Sequence, residues 1–190
     1  GMESFTGEVF HSQQWNHDYD LTGKRVAVIG TGASAIQFVP QIQKQVAQLD
    51  LYQRTAPWIM PKPDRAIRDD ERERFKRFPL AQKLWRGALY SILESRVIAF
   101  AFAPRLLRMA QGIAKLRAKV TPDYTMGCKR VLISNDYYPA LVQPNVEVIT
   151  DSVTEILPHG VRTADGQERE VDAIIFGTGF TPSDPLPRGT

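Results

Sequence analysis

The segment from Lys24 to Gln37, KRVAVIGTGASAIQ, constrains this chain more than any other. Arg25 to Ile29 is a short run rich in β-branched residues, and Gly30, Gly32 and Ala35 follow at the spacing GxGxxA, where an amphipathic helical pattern begins. Strand, glycine turn and helix in that order form a dinucleotide-binding fingerprint. Gly30 permits a tight turn, Gly32 lets a pyrophosphate approach the backbone, and Ala35 lets the helix pack close to the strand. The free N–H groups of the helix start then face the phosphates. The candidate contacts are Gly30, Thr31, Gly32, Ala33, Ser34, Ala35 and Gln37.

Further along, Leu49 to Arg54 reads as the next strand, closed by Thr55-Ala56-Pro57. An NAD site places an acid at the end of this strand, against the ribose 2′-hydroxyl. Asp50 has about the right count from Gly30 but lies four residues before Arg54, about 13 Å upstream at the strand rise. The productive end carries Gln53, Arg54 and Thr55 instead. A guanidinium there pairs with a 2′-phosphate, so the sequence favours NADP.

Val146 to Ile149 reads as another short strand, Val153 to Asp172 alternates like a small antiparallel meander, and Ala173 to Phe176 is a buried strand running into Gly177-Thr178-Gly179-Phe180. The alternation of strands and helices predicts an α/β fold, a Rossmann-type, mostly parallel sheet with a helical insertion over 62–119 and the meander as an appendage. Within the insertion, Leu80, Leu84, Ala88 and Ile92, then Val97 and Phe100, and then Leu106, Ala110, Ile113 and Ala114 recur at helical intervals, predicting two or three helices packed together.

Charge is concentrated in the same segment. Lys62 to Lys119 holds fifteen Lys or Arg against six Asp or Glu, and the remainder of the chain is net acidic although the whole carries +3. Asp69, Asp70, Glu71 and Glu73 interleave with Arg68, Arg72, Arg74 and Lys76 at spacings that pair ions along a helix. A solvated helical insert is therefore favoured over a nucleic-acid or membrane partner. The single cysteine, Cys128, excludes an internal disulfide framework, and the three histidines lack metal-ligand spacing. No signal peptide is evident and the longest apolar run, Val97 to Pro104, is too short to span a bilayer. These features suggest a cytoplasmic protein with no metal site.

Residues 1–23 read as mostly irregular, a linker into the first strand. Phe5, Gly7, His11 and Trp15 nevertheless form FxGxxxHxxxW, a spacing that neither helix nor strand period explains. The stretch resembles the fingerprint of the Baeyer–Villiger monooxygenases, within the wider flavin-containing monooxygenase group. Asn16 departs from the Pro or Asp that usually follows. Relatives that oxidise nitrogen or sulfur usually carry Tyr or Phe at the position of Trp15, so Trp15 favours the ketone-oxidising branch, with heteroatom oxygenation as the alternative.

A second motif, Gly127-Cys128-Lys129-Arg130, says little by composition. The resemblance implies that Lys129 contacts the NADP 2′-phosphate and that Arg130 is catalytic, stabilising a peroxyflavin anion. Gln53-Arg54-Thr55 is likewise similar to the family's NADP contact, and Gly177 to Phe180 resembles the ATGF element of two-dinucleotide flavoproteins, with Gly177 in place of Ala; Thr178 and Gly179 join the candidate set. The resemblance further implies hydride transfer from NADPH to FAD and insertion of oxygen beside a ketone carbonyl through a C4a-peroxyflavin. Such an enzyme needs an earlier Gly-rich motif for FAD, and no second GxGxxG occurs in the 190 residues. The expectation is an NADP-binding domain over 1–190, ending in a linker at 181–190, whose FAD-binding domain lies elsewhere in a longer protein. A stand-alone NADP-binding module is the alternative from a different class. Alone, the chain is expected to bind NADP(H) and turn nothing over.

Overall fold

The computed structural model describes residues 1–62, 64–102, 117–120 and 122–179. At its centre is a five-stranded, fully parallel sheet of β1 (Glu8–His11), β2 (Arg25–Ile29), β3 (Gln48–Tyr52), β6 (Val146–Ile149) and β10 (Ala173–Phe176), in the order β1-β10-β2-β3-β6. From β2 the chain adds β3 and then β6 on one side, and later returns to lay β10 on the other. The strand order thus reverses between β2 and β10, which opens a crevice at their C-terminal ends.

Period-two alternation assigns the two faces of the sheet. Val26, Val28, Leu49, Leu51, Ala173 and Ile175 pack with Ala35, Ile36 and Val39 of helix α1 (Ala35–Ile42) and with Tyr137 and Leu141 of helix α5 (Tyr137–Leu141). Ala27, Tyr52, Ile149 and Ile174 face the other way, onto Phe5, Val161 and Val171. Val161 belongs to an antiparallel three-stranded sheet of β7 (Val153–Leu157), β8 (Gly160–Thr163) and β9 (Glu168–Glu170). The mostly parallel sheet and the antiparallel meander are those the sequence predicts, and the meander covers the face of the sheet opposite the helices.

Residues 1–23 depart from the expected irregular linker. Glu8–His11 pairs in register with Ala173–Phe176 and forms the sheet's edge. The fingerprint spacing has its explanation here. A Cβ on Gly7 would stand 2.4 Å from the Asp172 carbonyl oxygen and 2.6 Å from the Phe5 ring, so only glycine lets β1 draw alongside β10. Phe5 is buried in the meander-side core. Trp15 sits edge-on to Phe10 of β1 at 5.1 Å and to Phe38 of α1 at 5.2 Å, locking the strand to the helix.

The insertion is stapled at its base by a two-residue parallel pair, β4 (Ile59–Met60) with β5 (Leu132–Ile133). Asn135 extends the staple: its Oδ1 accepts the Lys62 N–H at 2.8 Å and its Nδ2 donates to the Lys62 carbonyl at 2.9 Å. Helix α2 (Asp69–Arg77) carries the expected ion pairs, Arg72 with Asp69 and Lys76 with Glu73. Arg65 grips Glu71 with two bonds of 2.7 Å and the Arg68 N–H adds a third, holding the Glu71 carboxyl down to about 2. Phe78 ends α2 with a non-helical φ of −130°, and α3 (Pro79–Phe102) starts at once on a proline.

The expected packing of this helix is not what its described face shows. Leu80, Leu84 and Ile92 are 67%, 68% and 55% exposed, so the apolar repeat that predicts the helix is not covered at these positions. The expected apolar side chains at Val97 and Phe100, the stretch from Leu106 to Ala114, Phe180 and the linker 181–190 lie outside the described residues. A last short helix, α4 (Arg117–Val120), docks where β3 and β6 end: Lys119 Nζ donates to the Val148 carbonyl at 2.8 Å, and its own carbonyl accepts from Gln53 Nε2. Among the described residues no helix is long and apolar enough to cross a membrane.

Candidate functional site

A cleft of about 660 Å³ opens at the C-terminal edge of the parallel sheet, over the point where the strand order reverses. Loops following four strands wall it. Gly30, Thr31 and Gly32 leave β2; Gln53, Arg54 and Thr55 leave β3; Asp151 and Ser152 leave β6; and Gly177, Thr178 and Gly179 leave β10. Lys129 reaches the same space from the base of the insertion.

The glycine turn owes its shape to close backbone approach. Gly30 has φ +108°, and a Cβ there would lie 2.6 Å from the Gly177 carbonyl oxygen. The loops are knitted by Gly30 N–H to the Tyr52 carbonyl at 3.0 Å and Gly177 N–H to the Ile29 carbonyl at 2.8 Å. Thr31 Oγ1 adds a bond to the Thr55 carbonyl at 3.2 Å, tying the glycine turn to the segment that carries Arg54. Gly32 differs. Its nearest neighbour to a built Cβ is 3.7 Å away, so the missing side chain leaves room above the backbone for a phosphate. Ala35 is fully buried, and a Cβ on Gly177 would meet its methyl at 3.4 Å; the third small position of the fingerprint seats α1 against the loop after β10. Ser34 caps α1 without a side-chain bond, and the first turn holds no acidic residue. That end of the helix suits an anion.

The charges agree with this. Arg25, Arg65, Arg162 and Arg169 each engage a carboxylate. Arg54, Lys129 and Arg130 are exposed and engage none among the described residues. Lys129 instead lies over the Tyr124 ring, its Nζ 4.6 Å from the centroid. Asp50 sits in mid-strand, paired with Ala27, where it accepts from Gln48 Nε2 at 3.0 Å and is 4% exposed. Burial raises its carboxyl pKa above the usual range. It lies in the middle of β3 and not at the upstream end expected from the sequence, because the strand runs from Gln48 to Tyr52, and it does not line the cleft.

The structure thus gathers Gly30, Thr31, Gly32, Arg54, Thr55, Lys129, Thr178 and Gly179 around one space. Other sequence candidates lie beside it. Ala33 and Ser34 turn into α1, and the Ala33 carbonyl is held by Gln37 Nε2 at 2.8 Å. Gln37 lines a separate cleft with Lys62, Asp64 and Asn135. Arg130 follows Lys129 outside the cleft wall. His11 ends β1 opposite Phe176, and its Nδ1 accepts the Gln13 N–H at 3.2 Å. Trp58 is 8% exposed and plugs the base of the insertion. Asp151, Ser152 and Val153 were absent from the sequence candidates; the polar run Thr150-Asp151-Ser152 after the predicted strand Val146 to Ile149 is the signal that marks them.

Comparison with known proteins matches residues 1–187 to a family described as flavin-binding monooxygenase-like. A Baeyer–Villiger monooxygenase of Pseudomonas aeruginosa is 64% identical over 100% of this chain, and one of Streptomyces coelicolor is 51% identical over 97%. The chain spans 38% of the length of each. Among solved structures, an oxidised steroid monooxygenase bound to NADP is similar with a TM-score of 0.71 at 26% identity, over 95% of this chain and 44% of that one.

Proposed function

This chain belongs to the flavin-binding monooxygenase-like family, and on that premise we propose that it is the NADP(H)-binding region of an FAD- and NADPH-dependent monooxygenase of the Baeyer–Villiger type. Its substrate is a small ketone, and oxygen enters beside the carbonyl. One observation carries the reading: two cations that have no carboxylate partner among the described residues, Arg54 and Lys129, converge on a glycine-walled cleft at the reversal point of a parallel sheet. A pyrophosphate fits over Gly32 at the start of α1, and a 2′-phosphate is what these two cations can neutralise.

The residues of this chain bind and orient. Arg54 offers a planar fork of donors to the 2′-phosphate, and Lys129 adds a compact charge from the opposite wall. Thr31 and Thr55 hold the two loops at a fixed separation. Arg130, next to Lys129, supplies a permanent cation where negative charge develops on transferred oxygen. FAD, held by a region of the longer protein, would supply the hydride-accepting and oxygen-activating chemistry when bound. The exposed thiol of Cys128 suits a reducing compartment, and the cytoplasm is proposed as its location.

The test uses the full-length protein with FAD, NADPH and oxygen. A cyclic ketone is expected to yield the ring-expanded lactone with one NADPH consumed per product. Conversion of amines or sulfides to their oxides without any lactone would contradict the Baeyer–Villiger assignment.

A further inference from the structure

Lys129 follows a turn, is exposed and lines the cleft, on a four-carbon stem that has many rotamers to choose from. The structure shows what it rests against. The Cys128 N–H bonds to the Thr125 carbonyl at 3.1 Å and folds the turn back, so that Lys129 Nζ rests 4.6 Å from the Tyr124 ring centroid. Tyr124 is itself fixed. Trp58 Nε1 donates to the Tyr124 carbonyl at 3.0 Å, and the two rings meet edge-on at 6.5 Å and 75°. The Trp58 carbonyl also accepts the Leu132 N–H at 2.8 Å. Trp58 therefore anchors the chain on both sides of Lys129 and Arg130, through its indole at Tyr124 and through its backbone carbonyl at Leu132.

We infer that Tyr124, pinned by Trp58, is a positioning residue that holds the Lys129 ammonium at the cleft and so adds to the preference for NADP over NAD that Arg54 provides. A ring face attracts the cation without neutralising it, and the ammonium donors turned away from the ring remain available to a phosphate. A carboxylate in the same place would compete with the ligand. The inference rests on the proposed NADP site.

The test is titration of the chain with NADP+ and with NAD+, in wild type and in Tyr124→Phe, Tyr124→Leu, Lys129→Ala and Tyr124→Leu/Lys129→Ala. Tyr124→Leu is expected to weaken NADP+ binding roughly two- to fivefold and to leave NAD+ unchanged, whereas Tyr124→Phe, which keeps the ring, matches wild type. In the Lys129→Ala background, Tyr124→Leu is expected to have no further effect. Equal losses for both nucleotides, an unchanged NADP+ affinity in Tyr124→Leu, or a loss that persists without Lys129 would overturn the positioning role while leaving the site intact. An unchanged NADP+ affinity in Lys129→Ala would overturn the reading of the site as well.

Discussion

In the full-length protein, Arg130→Ala is expected to lower ketone oxygenation by about 10²–10³-fold, the usual cost of removing one preorganised group that stabilises developing charge, while NADPH still reduces the flavin. The two outcomes separate because hydride transfer requires the nucleotide to be bound, a task assigned to Lys129 and Arg54, whereas oxygen transfer builds negative charge that only a fixed cation offsets. Arg130 suits the second task. Its guanidinium is exposed and, among the described residues, is not committed to a carboxylate. The hydrogen bond from Leu132 to Trp58, two residues on, holds its backbone to the base of the insertion. Anaerobic stopped-flow reduction measures the first step and lactone formation the second. Unchanged oxygenation in the variant would remove Arg130 from the chemistry, and loss of both steps together would make it a nucleotide-binding residue.

Gly30→Ala is expected to destabilise the chain by about 2–4 kcal/mol and to abolish nucleotide binding. The methyl group would stand 2.6 Å from the Gly177 carbonyl oxygen and 2.9 Å from its carbon, both backbone atoms that cannot swing aside, at a φ of +108°. Relief requires β2 and β10 to part at their C-terminal ends, where the crevice is built. Gly23→Ala provides the comparison. Gly23 also has a positive φ, +70°, but a Cβ there meets nothing within 4 Å, so only the conformational cost of about 1–2 kcal/mol remains. Thermal unfolding of the two variants, with NADP+ titration of each, isolates the close approach. Equal effects of the two substitutions would show that strand separation at Gly30 does not matter.

Much of the site was legible because its signals are local. Arg25–Ile29, Val146–Ile149 and Ala173–Phe176 are strands with the bounds that their apolar runs suggest. The strand read as Leu49 to Arg54 instead ends at Tyr52, which leaves Arg54 just beyond its C-terminal end, on the side the sequence assigned to it. What stayed hidden depends on partners distant in sequence. Glu8–His11 carries no decisive strand pattern, since it is an edge specified by pairing with Ala173–Phe176 near the other end of the described chain. Gly7 likewise looks like an arbitrary glycine until the Asp172 carbonyl is seen beside it. The helical repeat at Leu80, Leu84 and Ile92 correctly predicted a helix but not its exposure, because periodicity reports which residues share a face and not what covers that face. The link from Trp58 through Tyr124 to Lys129 joins segments 66 residues apart, with no spacing that could betray it.

The central claim is that the cleft binds a dinucleotide bearing a 2′-phosphate. Calorimetric titration of the chain with NADP+ and, separately, with NAD+, repeated on Arg54→Ala, addresses it most directly. The account predicts tighter binding of NADP+, with Arg54→Ala weakening it by about 10–100-fold, toward the level of NAD+, as expected for losing a hydrogen-bonded charge pair. Equal affinities for the two nucleotides in wild type, or an NADP+ affinity indifferent to Arg54→Ala, would contradict it.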